Sequence, residues 1–175
     1  NRINFAIYNS LTENIKIIDE INPSTVLKSI KNDKEIENIK IAQLKDSIAH
    51  VKFMKWLKEN HDKIEITELS AIEKLESIRK SMGNYLEPSF EPISSVGSHA
   101  AIIHYSPTAE SNRKLEENNV LLMDTGSHYF EGTTDITRTY AIGTIPEKIK
   151  EHFTLVAISH LYLANAVFLQ GCNGV

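Results

Sequence analysis

The longest regular feature of the chain is a helical pattern from Asp33 to about Asn60, and it limits the fold more than any other stretch. Ile36, Ile39, Leu44, Ile48, Val51, Met54 and Leu57 recur at steps of three to five, with Lys and Glu in most intervening positions. That spacing predicts one amphipathic helix of roughly seven turns, whose aliphatic stripe other elements must cover. A second helix is expected from about Thr67 to Met82, ended by Gly83-Asn84. Its start is marked by Ser70 and Glu73 at capping-box spacing, or a turn earlier by Thr67. The charged residues of both helices read as solvated faces.

On the N-terminal side, Ile3–Tyr8 and Ile15–Asp19 are short, β-branched and bounded by polar residues, and read as strands. Asn22-Pro23-Ser24 supplies a stop, with Ser24 as the expected helix cap. A domain boundary therefore falls near residues 20–25. After residue 85, Pro88, Pro92 and Gly97 break the chain, and Ala101–Tyr105 reads as an apolar strand. Val120–Asp124 is a strand, a further one runs from near Thr133 to Tyr140, and Pro146 opens a last helix from Glu147 to about Phe168. The order of helices, strands and a final helix gives an α+β class.

Composition narrows the partners. The chain has 175 residues, 24% charged, with a formal net charge of −4 and no basic run, which argues against nucleic acid. No apolar stretch approaches the ~20 residues of a membrane span. Cys172 is the one cysteine, so no intrachain disulfide can form and a reducing, cytoplasmic setting is expected. It lies in no nucleophile context and reads as inert. Asn1 in place of Met, and Gly-Cys-Asn-Gly-Val directly after a strong helix, suggest a piece of a longer protein.

The informative stretch is Leu121 to Thr139. Asp124 ends an apolar strand and Asp135 begins the next, eleven residues on. Folded about its midpoint, such a hairpin puts the two residues directly opposite, with Cβ atoms roughly 4.5–5.5 Å apart. Two carboxylates that close must share a proton or hold cations between them. The spacing suits a two-metal site with ions about 3.5–4 Å apart, where hard oxygen ligands favour Mn, Mg, or Zn and Co in a mixed site. Two other readings stand beside it. An Asp before a turn often only hydrogen-bonds its own backbone. Leu-Leu-Met-Asp-Thr-Gly-Ser also has the form of the aspartic-protease loop, although those proteins are nearly all-β and this Asp follows two long helices.

Asp124-Thr-Gly-Ser-His-Tyr-Phe-Glu-Gly-Thr-Thr-Asp135-Ile-Thr-Arg-Thr139 resembles the signature of the Xaa-Pro aminopeptidases, members of the pita-bread metallopeptidases. Gly132–Thr139 is similar to the longer, three-domain branch. Ser95–Pro107 resembles the family segment carrying a substrate-facing histidine, and Thr25–Glu37 resembles the entry into the catalytic domain. The resemblance implies a partial pita-bread fold, with residues 1–24 left from a preceding domain and 25–175 as the N-terminal half of the catalytic domain. It implies that Asp124 chelates one metal and Asp135 bridges two, manganese first, with zinc or cobalt as alternatives. It also implies that His104 binds substrate and stabilises developing charge.

The activity so implied removes the N-terminal residue from peptides with proline at position two, by attack of a metal-activated hydroxide. A cytoplasmic homo-oligomer with a peptide as partner, and neither nucleic acid nor membrane, completes the expectation. Thr137 is expected to hydrogen-bond around Asp135 and Arg138 to form an ion pair. His99, His128 and His160 match no ligand position. Thr125 and Glu131 depart mildly from the branch, which often has Ser and Asp there. One His and two Glu ligands are expected from a second half that this sequence lacks, so the chain alone should be metal-poor and inactive. A prolidase-like dipeptidase and a non-catalytic pita-bread binding module remain as alternatives.

Overall fold

The structure, a computed structural model, describes residues 3–11, 14–18 and 20–174. Two short helices come first, α1 (Phe5–Ser10) and α2 (Pro23–Ser29), and neither buries a residue. The strand expected at Ile3–Tyr8 is thus a helix: the Asn4 side chain accepts from the Ala6 amide at 2.8 Å, and Phe5 and Tyr8 stack one turn apart. A strand needs a neighbour to pair with, and among the described residues none lies beside it. Ile15–Ile18 is irregular rather than a strand, and Asp19 lies outside the described residues. At α2 the cap is Asn22, whose side chain accepts from the Ser24 amide, while Pro23 occupies the first turn.

The long helix α3 (Asp33–Asn60) matches its sequence pattern from end to end and opens with a capping box between Asn32 and Glu35. α4 (Glu68–Lys80) is capped by Thr67 paired with Ser70, not by Ser70 with Glu73. Among the described residues six strands follow: β1 (Tyr85–Pro88), β2 (Ile93–Val96), β3 (Asn119–Thr125), β4 (Ser127–Tyr129), β5 (Gly132–Thr133) and β6 (Ile136–Ile142). They form two antiparallel sheets, β2-β3-β6 and β1-β4-β5. α5 (Glu147–Asn165) closes the order and buries nothing; Phe153, Val156, Leu161 and Tyr162 stay exposed along it.

The face of α3 that packs inward is not the aliphatic one. Ile36, Leu44 and Val51 remain exposed, and the buried residues are Ala42, Asp46, Ala49, His50, Phe53 and Leu57. A Cβ on Gly132 of β5 would stand 3.5 Å from the Ile39 backbone and Cγ1 and 3.6 Å from the Ala42 methyl, so the hairpin packs directly on this part of α3. Further along, Phe53 and Leu57 join Leu75, Val96, Leu121, Met123, Tyr140 and Ile142 in one core. The Phe53 ring meets Tyr140 edge-on at 5.4 Å, and burying such a side chain stabilises by about 1.5–3 kcal/mol. Four charged or titratable helix residues share this interior, namely Asp46, His50, Glu68 and Arg79. The expectation that the helices' charges are all solvated is corrected by these, because each has partners inside.

Candidate functional site

β3 alternates, with Leu121, Met123 and Thr125 buried against the helices and Leu122 and Asp124 turned to the other face. Asp124 pairs with Ile93 on one side and Thr137 on the other. The register continues through Thr125↔Ile136 and is resumed by His128↔Thr133 and Tyr129↔Gly132, so β3 to β6 is one long hairpin turning at Phe130-Glu131. The turn is one residue later than the midpoint between the two aspartates. Asp135 therefore falls beside Gly126, diagonal to Asp124 and not opposite it, which corrects the expected pairing. Both remain on the face away from the helices, since Asp135 and Thr137 are exposed while Ile136 between them is buried. Diagonal neighbours in such a ladder are about 7–8 Å apart, less between Cβ atoms.

The shift has a tertiary cause. Glu131 accepts from Lys45 Nζ of α3 at 2.7 Å and from Asn84 Nδ2 at 2.8 Å, and the Phe130 amide donates to the Asn84 carbonyl at 3.0 Å. Those bonds hold the Glu131 carboxyl below its usual pKa range and fix where the chain reverses.

Thr137 Oγ1 donates to Asp124 Oδ1 at 2.7 Å, so its bond goes to the first aspartate and not to Asp135 as expected. That leaves Asp124 Oδ2 and the exposed Asp135 carboxylate facing outward. Two hard oxygen donors on one face suit a hard or borderline divalent cation, and with one lone pair already engaged Asp124 is pre-oriented for it. The donor set fits such an ion but does not complete one: among the described residues no three His, Cys, Asp or Glu side chains gather into a metal-binding group. The expected Arg138 ion pair is not formed among the described residues; its guanidinium donates to the Thr137 carbonyl at 2.7 Å. Arg138 lies on the opposite face with His50 and Tyr140, where the three line a recess of about 200 Å³ against α3.

Behind the aspartates sits a network that sequence reading missed. Arg79 of α4 makes a fork with Asp46 of α3, Nε to Oδ1 at 2.7 Å and Nη2 to Oδ2 at 3.0 Å, both side chains essentially buried. Arg79 Nη2 also donates to Thr125 Oγ1 at 2.9 Å, and Thr134 Oγ1 donates to Asp46 Oδ2 at 2.5 Å. The Ser127 amide in turn donates to Thr134 Oγ1 at 3.0 Å. The available signal was Asp46 itself, a charge in register with Ala42, Ala49 and Phe53.

His50 completes this group. Its Nε2 lies 3.2 Å from Arg79 Nη2 and its Nδ1 2.9 Å from Tyr140 Oη. A guanidinium can only donate, so Nε2 accepts and Nδ1–H donates to the tyrosine. Burial first, and the Arg79 charge second, bring the His50 pKa from 6.5 down to about 4. In the unfolded chain the ring binds its proton near 6.5 and in the folded chain only near 4. The stability it contributes is thus complete above about pH 6.5 and is lost as pH falls toward 4. Unfolding midpoints in urea at pH 7 and pH 5 should show this loss, and His50→Gln should flatten it; an unchanged slope would refute the assignment.

His104 is exposed, in a turn with φ +58°, after a 3₁₀ turn at Gly97–Ala101. The strand expected at Ala101–Tyr105 is not formed, and Ile103 is 86% exposed. Buried Glu68, first residue of α4, is the reason. Its Oε1 accepts from the Val96 amide at 2.7 Å and His99 Nδ1 at 2.8 Å; its Oε2 accepts from Tyr105 Oη at 2.9 Å and the Arg113 amide at 3.0 Å. Four donors converging on one carboxylate gather residues 96–113 into a loop in place of a ladder. No hydrogen bond joins His104 to either aspartate among the described residues. His128 bonds Thr133 Oγ1 at 2.8 Å, and His160 is exposed on α5.

The pattern of metallopeptidase family M24 matches residues 37–174, from within α3 to the end of the described chain. The chain belongs to that family. Within M24 it is 40% identical over 173 residues to the Xaa-Pro aminopeptidase app-1 of Caenorhabditis elegans, which covers 98% of this chain and 28% of that protein. It superposes on the crystal structure of the X-prolyl aminopeptidase of C. elegans, described as a cytosolic enzyme with a di-nuclear active site, with a TM-score of 0.77 at 40% identity. That match covers 85% of this chain and 24% of the other. The Xaa-Pro dipeptidase of Bacillus anthracis gives 0.67 at 26% identity, over 85% of this chain and 37% of that one. The M24 chain spans about a quarter of the length of the curated relatives it matches. Its helices and antiparallel sheets are accordingly an α+β fold that matches the pita-bread aminopeptidases at partial coverage.

Proposed function

We propose that this chain is part of a dinuclear metallo-aminopeptidase that removes the N-terminal residue from peptides with proline at position two. The carrying observation is that Asp124 and Asp135 share the open face of one hairpin, Asp124 with Oδ2 and Asp135 with its exposed carboxylate left for a ligand. In this reading both hold divalent cations, manganese first and zinc or cobalt otherwise, with Asp135 bridging. When bound, such ions polarise the scissile carbonyl and activate a water at neutral pH. The chain's own residues supply the rest. Thr137 fixes the Asp124 carboxylate, and His104, presented on the loop that Glu68 gathers, meets the substrate and developing charge.

The same reading takes residues 1–24 as the remnant of a preceding domain and a linker, which suits α1, a helix that buries nothing, and 25–175 as the N-terminal half of the catalytic unit. The chain alone, with two carboxylates, is read as metal-poor and inactive. The apolar residues exposed on α5 are surface for the remainder of such an enzyme, or for a second copy of it, to cover. A homo-oligomer, and the cytosolic location described for the C. elegans relative, belong to the proposal. Among the described residues no helix is long and apolar enough to cross a membrane.

The test uses the complete polypeptide. Hydrolysis of an Xaa-Pro-Yaa peptide should vanish with a chelator and return with Mn²⁺. Asp124→Asn and Asp135→Asn should each lower kcat/KM by about a thousandfold or more, the loss of several kcal/mol of charge stabilisation. Metal-independent hydrolysis would sink the mechanism. Cleavage of the dipeptide Xaa-Pro in preference to the tripeptide would favour the dipeptidase that the B. anthracis likeness raises, and an inert protein would favour a binding module.

A further inference from the structure

We propose that the buried Asp46–Arg79 ion pair is the positioning device that sets the two candidate metal ligands relative to each other, acting through Thr125 and Thr134. The inference rests on the reading of Asp124 and Asp135 as metal ligands and goes beyond it, to residues more distant in sequence that touch neither metal nor substrate.

The contacts of the ion pair with the two aspartates' neighbours are symmetric. Thr125 directly follows Asp124 and Thr134 directly precedes Asp135. Each threonine turns its hydroxyl inward, to Arg79 Nη2 at 2.9 Å and to Asp46 Oδ2 at 2.5 Å, while each aspartate turns outward. One oxygen of the Asp46 carboxylate and one nitrogen of the Arg79 guanidinium, locked together by the fork, therefore hold the hairpin on both sides next to the residues that matter. The fork fixes the in-plane geometry of the pair, which a single hydrogen bond could not do. Between the threonines the ladder is interrupted, because regular pairing stops at Thr125↔Ile136 and resumes at His128↔Thr133, with one backbone bond, from the Thr134 amide to the Ser127 carbonyl at 2.9 Å, in between. Across that gap the chain is tied by Arg79 Nη1 to the Gly126 carbonyl at 3.4 Å, by the Ser89 amide to the same oxygen at 3.2 Å, and by Ser89 Oγ to the Thr134 carbonyl at 2.9 Å. Two helices and Ser89, just after β1, thus reinforce the interrupted ladder where the aspartates diverge. Partners of this kind behind metal ligands are worth about 10–100-fold in metal affinity.

The test avoids removing the ion pair, whose loss threatens folding. Thr134→Val and Thr125→Val delete one hydroxyl each at near-constant volume, and Thr134→Ser restores it. In the complete polypeptide, Mn²⁺ binding by calorimetry should weaken about 10–100-fold in each valine variant and recover in Thr134→Ser. The Mn²⁺ electron paramagnetic resonance spectrum should show the exchange-coupled pair diminished in the valine variants relative to isolated ions. A change of melting temperature with unaltered affinity and spectrum would mean a merely structural role and overturn the proposal. Asp124→Asn and Asp135→Asn serve as the reference. If they lose metal while the valine variants do not, only this proposal fails; if they keep it, the metal reading fails and takes this one with it.

Discussion

Replacing Arg79 by alanine is expected to destabilise the protein by about 3–5 kcal/mol, the cost of leaving one partner of a buried ion pair alone. Asp46 is fully buried and would keep only the Thr134 hydroxyl. Thr125 Oγ1 and the Gly126 carbonyl would lose their guanidinium donor at the same time. For a unit of this size the melting temperature should fall by roughly 6–20 °C. His50 gives an independent readout. Part of its depressed pKa comes from the Arg79 charge, so that variant should titrate His50 closer to its ordinary value, visible by NMR. Replacing both partners, Asp46→Leu with Arg79→Met, should cost less than Arg79→Ala alone, because no buried charge is then stranded. A loss below about 1 kcal/mol for Arg79→Ala would show that the fork contributes no more than a surface pair does.

Gly126→Ala is the second large effect. The added Cβ would stand 2.1 Å from the Thr134 carbonyl, 2.1 Å from Ser89 Oγ and 2.9 Å from the Phe90 ring. Ser89 could rotate away, but the carbonyl belongs to the backbone of the facing strand, so the hairpin would have to open between the two aspartates. A loss of about 3 kcal/mol or more is expected, at the upper end for overpacking. Because the strain falls on the residues next to Asp124 and Asp135, the proposed ligand role of that pair also predicts weaker metal binding by the complete polypeptide. Gly132→Ala is the matched control in the same hairpin. Its nearest contacts are at 3.5 Å, ordinary packing, and it should cost under about 1 kcal/mol. Equal melting temperatures for the two variants would refute the argument.

Much of the architecture was legible because it rests on local chemistry. α3 runs over the residues its periodicity marked, and the α4 start was legible in Thr67 as one of two options. β3 was legible as an apolar run, and Pro146 marked the α5 start. The failures share one cause. Ile3–Tyr8 and Ala101–Tyr105 have strand composition, but a strand exists only against a neighbour, and among the described residues neither segment has one. The stripe of α3 chosen for burial was the bulkier one, whereas the face that meets the sheets carries Ala42, Asp46, Ala49, His50 and Phe53, a choice set by partners far along the chain.

For the site, the sequence alone determined which two carboxylates sit at the strand ends, Asp124 and Asp135, and the family they belong to. Their types and spacing are local and covalent. Only the tertiary structure decided how they face each other, because the register depends on Lys45 and Asn84 gripping Glu131, contacts that bridge 86 and 47 residues. It alone also showed the Asp46–Arg79 pair behind them, which joins two helices to both strands of the hairpin. A charged residue on a helix is cheap in water and tolerable inside only with a partner. Which of the two applies is settled by what stands opposite in space, and nothing in the order of residues states that.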